Sequence, residues 1–205
     1  MKKNLIISIG LLLVFILTLF FFSNRDREVV NTPPKNDTIV AFGDSLVEGV
    51  GATPGHDFIS LLERTLDREI INLGKSGDTT ESALNRIDEV LSYNPGVVIL
   101  LLGGNDYLRQ MPQEETEENL REIIGTLQRE GVVVLLLGVR GGVLSDNYAS
   151  MYSRLSQEYG TAYVSNVLRG LITNPEYMSD SIHPNDRGYE RIAERVLPVL
   201  GGLYK

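Results

Sequence analysis

The sequence predicts a three-layer, doubly wound α/β sandwich built on a five-stranded parallel sheet in the order 2-1-3-4-5. Three observations predict it. Short apolar runs alternate five times with amphipathic helical patterns, which calls for a parallel sheet covered by helices on both faces. The run at 97–102 is apolar without alternation, as in a strand buried on both sides. Two of the runs stop abruptly, at Gly43-Asp44-Ser45 and at Gly103-Gly104-Asn105-Asp106, and right-handed crossovers leave such turns at the carboxyl edge of the sheet.

The elements follow in order. The first strand, from Thr38, ends on Gly43. Asp57 then caps a helix whose apolar positions Phe58, Leu61, Leu62 and Leu66 share one face. A short second strand, 69–73, leads to the turn Gly74-Lys75-Ser76-Gly77. Asp78 with Glu81 three residues on reads as a capping box. The helix it opens runs through Ala83, Leu84, Ile87, Val90 and Leu91 until Asn94-Pro95-Gly96. After the third strand, the acidic run 114–118 compensates a helix dipole rather than marking a metal site, and Leu120, Ile123, Ile124 and Leu127 form the inward stripe. A fourth strand at 132–137, a helix at 147–159 and a weaker fifth strand at 162–167 complete the sheet. Asn185 or Asp186 caps a last helix, with Tyr189, Ile192, Ala193, Val196 and Leu197 inward until Pro198.

Length and composition fit one such domain. The chain has 205 residues, 42% hydrophobic and 22% charged, enough for a single core plus a short extension. Residues 1–37 carry 5 basic and 3 acidic groups, leaving 14 basic and 24 acidic groups for 38–205. So acidic a domain is repelled by nucleic acid, which is excluded as a partner. Cysteine is absent, which removes disulfides, thiolate metal sites and a cysteine nucleophile. No cofactor or metal ligand set is read.

The extension has its own logic. Lys2 and Lys3 precede an apolar run of 18 residues, 5–22, which as a helix spans about 27 Å against a bilayer core of about 30 Å. Residues 1–22 therefore read as a signal-anchor or transmembrane helix, 23–37 as a linker with Pro33-Pro34, and 38–205 as the folded domain. With the lysines retained inside, the domain lies outside the cytoplasm. Secretion after signal cleavage is the alternative, although Phe20-Phe21-Phe22-Ser23 offers no small-residue cleavage pair.

Chemistry is expected at the carboxyl edge. Ser45 sits in the first turn after the first strand, and a serine needs a base to become a nucleophile. The chain has two histidines. His183, in Asp180-Ser181-Ile182-His183-Pro184, has a carboxylate three residues earlier that can turn back onto its ring, whereas the Asp57 beside His56 is better used as a cap. Glycine turns after strands also cradle phosphate, but the fingerprints of a nucleotide-binding module miss: Gly74-Lys75-Ser76 lacks the first glycine of a P-loop, with Glu69 in its place.

Gly43-Asp44-Ser45-Leu46, Ser76-Gly77-Asp78-Thr79, Gly104-Asn105-Asp106 and Asp180-x-x-His183, in that order, resemble the four blocks of the SGNH, or GDSL, hydrolase family. The likeness is to its thioesterase I/lysophospholipase L1 and arylesterase branch, over about 38–200. The resemblance implies Ser45 as nucleophile, His183 as general base and then acid, and Asp180 as the group orienting His183. It further implies an oxyanion hole of the Ser45 and Gly77 N–H groups and the Asn105 side chain. Asp44 and Asp106 are expected to hold their turns. The implied activity is hydrolysis of acyl esters, with amphiphiles as substrates. Removal of O-acetyl groups from extracellular carbohydrate is the alternative within the enzyme class, and a membrane-tethered, catalytically silent binding module is the alternative outside it. The loop after the fourth strand, Arg140-Gly-Gly-Val-Leu-Ser-Asp-Asn147, departs from those relatives. Val143 and Leu144 are expected to contact substrate there.

Overall fold

The computed structural model describes residues 28–140 and 147–204. Strands β1 (Ile39–Gly43), β2 (Ile70–Gly74), β3 (Val97–Leu101), β4 (Val133–Leu137) and β5 (Ala162–Val164) form one sheet in the order β2-β1-β3-β4-β5. Every pairing is parallel. β1, β3 and β4 are buried at every position, which is why their sequences are apolar without alternation. The edge strands β2 and β5 are only partly covered.

The helices are α1 (Ser45–Glu48), α2 (Phe58–Leu66), α3 (Thr80–Leu84), α4 (Ile87–Ser92), α5 (Gly104–Leu108), α6 (Gln113–Arg129), α7 (Asn147–Tyr159) and α8 (Asp186–Gly202). α2 packs against α8 in one covering layer, and α6 packs against α3 and α7 in the other. Phe58 of α2 stacks on Tyr189 of α8, and both rings are fully buried. The inward stripe of α6 is the one expected, with Leu120, Ile123, Ile124 and Leu127 buried. Glu114 and Glu115 lie in its first turn, where the helix dipole favours them.

Four local expectations are corrected. The capping box is Thr79 with Ser82, not Asp78 with Glu81; each side chain bonds the other's backbone N–H. The Asp78 carboxylate instead pairs with Arg86 at 2.7 Å. The helix expected to run unbroken past Ala83 is interrupted, with Arg86 at φ −122° and ψ 21° between α3 and α4. Strand β5 stops at Val164, because Val167 N–H turns to the Gly138 carbonyl and Asn166 Oδ1 accepts from Leu168 N–H. In α8, Asn185 is the cap and the helix continues through Pro198 to Gly202. Pro198 is exposed, so the carbonyl it leaves without a helical donor remains open to water.

Residues 28–37, read from sequence as linker, lie against the domain as a strap. Val29 packs on the core. Val30 N–H donates to the Gly160 carbonyl at 2.9 Å. Asn31 Nδ2 donates to the Gln128 and Val132 carbonyls at 2.9 and 3.0 Å. Lys35 Nζ reaches the Glu130 carbonyl at 2.8 Å and Asn36 Nδ2 the Asn94 carbonyl at 3.0 Å. These carbonyls belong to the end of α6 and to the turns entering β5, β4 and β3, so the strap runs across the amino edge of the sheet. Among the described residues no helix is long and apolar enough to cross a membrane. The span expected at 1–22 lies outside them.

The strap makes a testable contribution. Removing two buried-end hydrogen bonds and the partial burial of Val29 costs roughly 2–3 kcal/mol. At about 2–4 °C per kcal/mol for a domain of this size, a chain starting at Thr38 should melt roughly 4–12 °C below one starting at Glu28. Thermal unfolding of the two chains measures this. Equal melting temperatures would mean that the strap adds nothing to the fold.

Candidate active site

The site begins with the end of β1. Asp44 leaves the strand in extended geometry and caps α1, its Oδ1 accepting from Leu46 N–H at 3.0 Å. Burial pushes the Asp44 carboxyl up to about 7, against the opposing pull of that hydrogen bond. Its work is in the turn, as expected from sequence. Ser45, next in the chain, is the first residue of α1 and is 9% exposed, with its hydroxyl turned toward the cavity above the sheet.

His183 reaches Ser45 from the loop before α8. Its Nε2 lies 3.1 Å from Ser45 Oγ and its Nδ1 2.7 Å from Asp180 Oδ2. Asp180 Oδ1 also accepts from the backbone N–H groups of Ile182 and His183, at 2.8 and 2.7 Å. These bonds, the imidazole first, hold the Asp180 carboxyl down at about 2 although it is exposed. The carboxylate is therefore charged throughout the range in which an imidazole gains or loses its proton. The loop itself is closed by Ser179 N–H on the His183 carbonyl at 2.9 Å and by a bridge between Met178 and Pro184. Gly51, at φ 95°, lets the chain after α1 pass close to it, since a Cβ there would sit 2.4 Å from the Pro184 carbonyl. Tyr189 Oη donates to the Val50 carbonyl at 2.8 Å and Thr53 bonds both Asp186 oxygens, latching the same segment to α8.

The opposite side of the cavity comes from the turns after β2 and β3. Gly77 takes φ 82°, a left-handed geometry that favours glycine, and Arg109 Nη2 donates to its carbonyl at 2.8 Å. Asn105, in the first turn of α5, donates one amide hydrogen to the Asp78 carbonyl at 2.9 Å and lines the cavity. Asp106 is fully buried and accepts from Thr80 N–H and Oγ1, tying the two turns together as a structural group. Ser45, Gly77 and Asn105 all line one cavity of about 320 Å³. The three residues expected to carry the oxyanion donors thus share one cavity with His183.

Much of the remaining lining is apolar, although Ser76, Tyr107, Arg140 and Ser181 also contribute. Leu46, Leu108, Val139, Leu168, Ile172 and Ile182 supply the apolar part. Sequence reasoning did not assign them to the cavity, because loops and one-turn helices carry no periodicity; Leu46 and Ile182 stood within motifs already singled out. Val143 and Leu144 lie outside the described residues. His56 is exposed, and Asp57 beside it caps α2 by accepting from Ser60 N–H at 2.9 Å. Among the described residues no three His, Asp or Glu side chains gather as a metal site.

A parallel α/β sheet with a hydroxyl, an imidazole and a carboxylate in hydrogen-bonded sequence at its carboxyl edge is the layout of a serine hydrolase. Residues 41–191 match the model of the GDSL-like Lipase/Acylhydrolase family. The chain is 33% identical over 181 residues to Esterase TesA of Pseudomonas aeruginosa, covering 81% of this chain and 89% of that one. It is 28% identical over 176 residues to the Thioesterase 1/protease 1/lysophospholipase L1 of Escherichia coli strain K12, covering 82% and 85%. A crystal structure of TesA superposes with a TM-score of 0.75 at 30% identity, covering 81% of this chain and 99% of that one. The protein belongs to the GDSL, or SGNH, hydrolase family and is a carboxylic ester hydrolase.

If Asn105 donates to a developing oxyanion, Asn105→Ala lowers kcat by about 10²–10³ and leaves KM nearly unchanged. Steady-state kinetics on a soluble p-nitrophenyl ester measures this. A raised KM with normal kcat would make Asn105 a substrate-binding residue instead.

Proposed function

We propose that the enzyme cleaves acyl esters through an acyl-enzyme on Ser45. The observation that carries the reading is the 3.1 Å contact between Ser45 Oγ and His183 Nε2 in a cavity whose lining is largely apolar. Ser45 Oγ attacks the carbonyl carbon while His183 Nε2 takes its proton, and Asp180 stabilises the imidazolium. The negative oxygen of the tetrahedral intermediate is met by the Ser45 and Gly77 N–H groups and Asn105 Nδ2. His183 then protonates the departing alkoxide or thiolate. Water, deprotonated by the same ring, releases the acid and restores Ser45.

The cavity argues for the acyl side of the family's range. Its 320 Å³ is at the small end of ligand pockets, about 300–1,000 Å³, and its apolar lining suits a short or medium hydrocarbon chain better than a sugar. An acetylated polysaccharide would leave those leucines and isoleucines uncovered. The acidity of the domain favours neutral or zwitterionic alcohols over anionic ones.

We further propose that residues 1–22 anchor the enzyme with its catalytic domain outside the cytoplasm, and the strap gives that anchor a direction. Because 28–37 is bound at the amino edge of the sheet, five residues, 23–27, separate the apolar run from the fold, at most about 18 Å of extended chain. The cavity opens at the other edge, beyond five-residue strands that each span about 17 Å. An anchored enzyme then presents its site away from its own bilayer.

One panel tests both readings. For the enzyme starting at Glu28, kcat/KM is expected to rise from p-nitrophenyl acetate to butyrate and octanoate, with little release of acetate from an acetylated glycan. A monotonic fall from acetate with efficient glycan deacetylation would install the carbohydrate esterase in its place. For full-length enzyme in vesicles, lysophosphatidylcholine supplied in separate micelles should turn over faster than the same lipid placed in the enzyme's own vesicle. Equal rates would overturn the outward-facing site.

A further inference from the structure

The break between α3 and α4 has a chemical result. A continuous helix through Arg86 would carry its side chain along the helix face, but the non-helical backbone at that residue turns the guanidinium back toward the sheet. There Nε donates to Asp78 Oδ2 at 2.7 Å and Nη2 to the Leu73 carbonyl at 2.7 Å, with the Gly43 carbonyl 3.4 Å from the same nitrogen. Nη1 reaches Glu89 at 3.2 Å, and the group lies over the Phe42 ring, 4.7 Å from its centroid. The side chain is 16% exposed and that of Asp78 5%.

Each acceptor belongs to a different part of the site. Gly43 ends β1 two residues before Ser45. Leu73 lies in β2, immediately ahead of the turn that carries Gly77. Asp78 follows Gly77, and its carbonyl holds the Asn105 amide at 2.9 Å. Arg86 does not line the cavity, so any influence on the reaction passes through these neighbours. We propose that Arg86 is a positioning residue for the oxyanion side of the site: it fixes Asp78 against the ends of β1 and β2, and Asp78 in turn fixes the Asn105 donor. The proposal rests on the reading of Asn105 as an oxyanion donor. Arginine suits the task because its planar fork directs several donors at once while its flat face rests on Phe42. A lysine has the charge but cannot meet a carboxylate and two carbonyls from one rigid plane. The partly desolvated cation is matched by the Asp78 carboxylate, without which it would be costly to bury.

The test is a double-mutant cycle of Arg86→Lys with Asn105→Ala. Activity is read per active site, counted by stoichiometric fluorophosphonate labelling. Arg86→Lys is expected to lower kcat by about 10–100-fold with KM within about threefold of wild type, the effect of displacing a donor by a fraction of an ångström. In the Asn105→Ala background the same change should cost less than about threefold, because the group through which Arg86 acts is gone. Asp78→Asn, which keeps the carbonyl but removes the charge partner, is expected to reproduce the kcat loss and serves if Arg86→Lys folds poorly. Fully additive effects, or a lowered melting temperature with unchanged kcat per labelled site, would make Arg86 a fold-stabilising residue only. An Asn105→Ala enzyme with normal kcat would overturn the donor reading and this proposal together.

Discussion

Ser45 and His183 stand 138 residues apart in the chain, and their side chains meet at 3.1 Å. A contact of that kind tolerates little error, because proton transfer needs the two atoms within hydrogen-bond reach. The parallel sheet supplies the needed common level. β1 and β3 pair in register from Ile39 with Val97 to Gly43 with Leu101, and β1 and β2 from Ile39 with Ile70 to Gly43 with Gly74. The turns carrying Ser45, Gly77 and Asn105 therefore leave the sheet from one edge. His183 arrives from outside the sheet, on a loop held by Met178, Pro184 and the cap of α8. The latch from Val50 and Thr53 to α8 joins the two halves, so the serine segment and the histidine segment share a support.

Carboxylates surround this contact, and the protein treats each differently. Asp180 is exposed, but three hydrogen bonds keep it ionised and aimed at the imidazole. Asp44 is buried beside the serine, where desolvation raises its carboxyl toward neutrality. Asp78 is paired with Arg86, and Asp106 is enclosed by Thr80. Of these, only Asp180 touches the imidazole. The others hold backbone turns, which is the more frequent employment of an acid at the end of a strand.

The sheet order, the helix stripes and the residues of the Ser45, His183 and Asp180 cluster were legible in the sequence, since each is encoded by a local pattern: an unbroken apolar run, a 3.6-residue stripe, a short block after a strand. Features that depend on distant partners were not. The strap has the proline and polar composition of a free linker, and only carbonyls distant in the chain, at Asn94, Gln128, Glu130, Val132 and Gly160, turn it into part of the fold. Arg86 sits in a sequence with intact helical periodicity, so its break is decided by acceptors on β1 and β2 that the local pattern does not contain. The capping box slipped by one residue because Asp78, Thr79 and Thr80 are all competent caps; Arg86 claims the Asp78 carboxylate and leaves Thr79 to the helix. The cavity's apolar lining comes from five separate loops and helix ends, and is assembled only when the sheet is.

The central claim is that His183 activates Ser45 as a nucleophile. Covalent labelling by a fluorophosphonate, read by peptide mass spectrometry on the enzyme and on its His183→Ala and His56→Ala variants, tests it most directly. The account predicts one phosphonylated residue, Ser45, labelled at the same rate in His56→Ala and at least about 10³-fold more slowly in His183→Ala. Rapid labelling of Ser45 in folded His183→Ala enzyme, or a label on another residue in an enzyme that still hydrolyses esters, would contradict it.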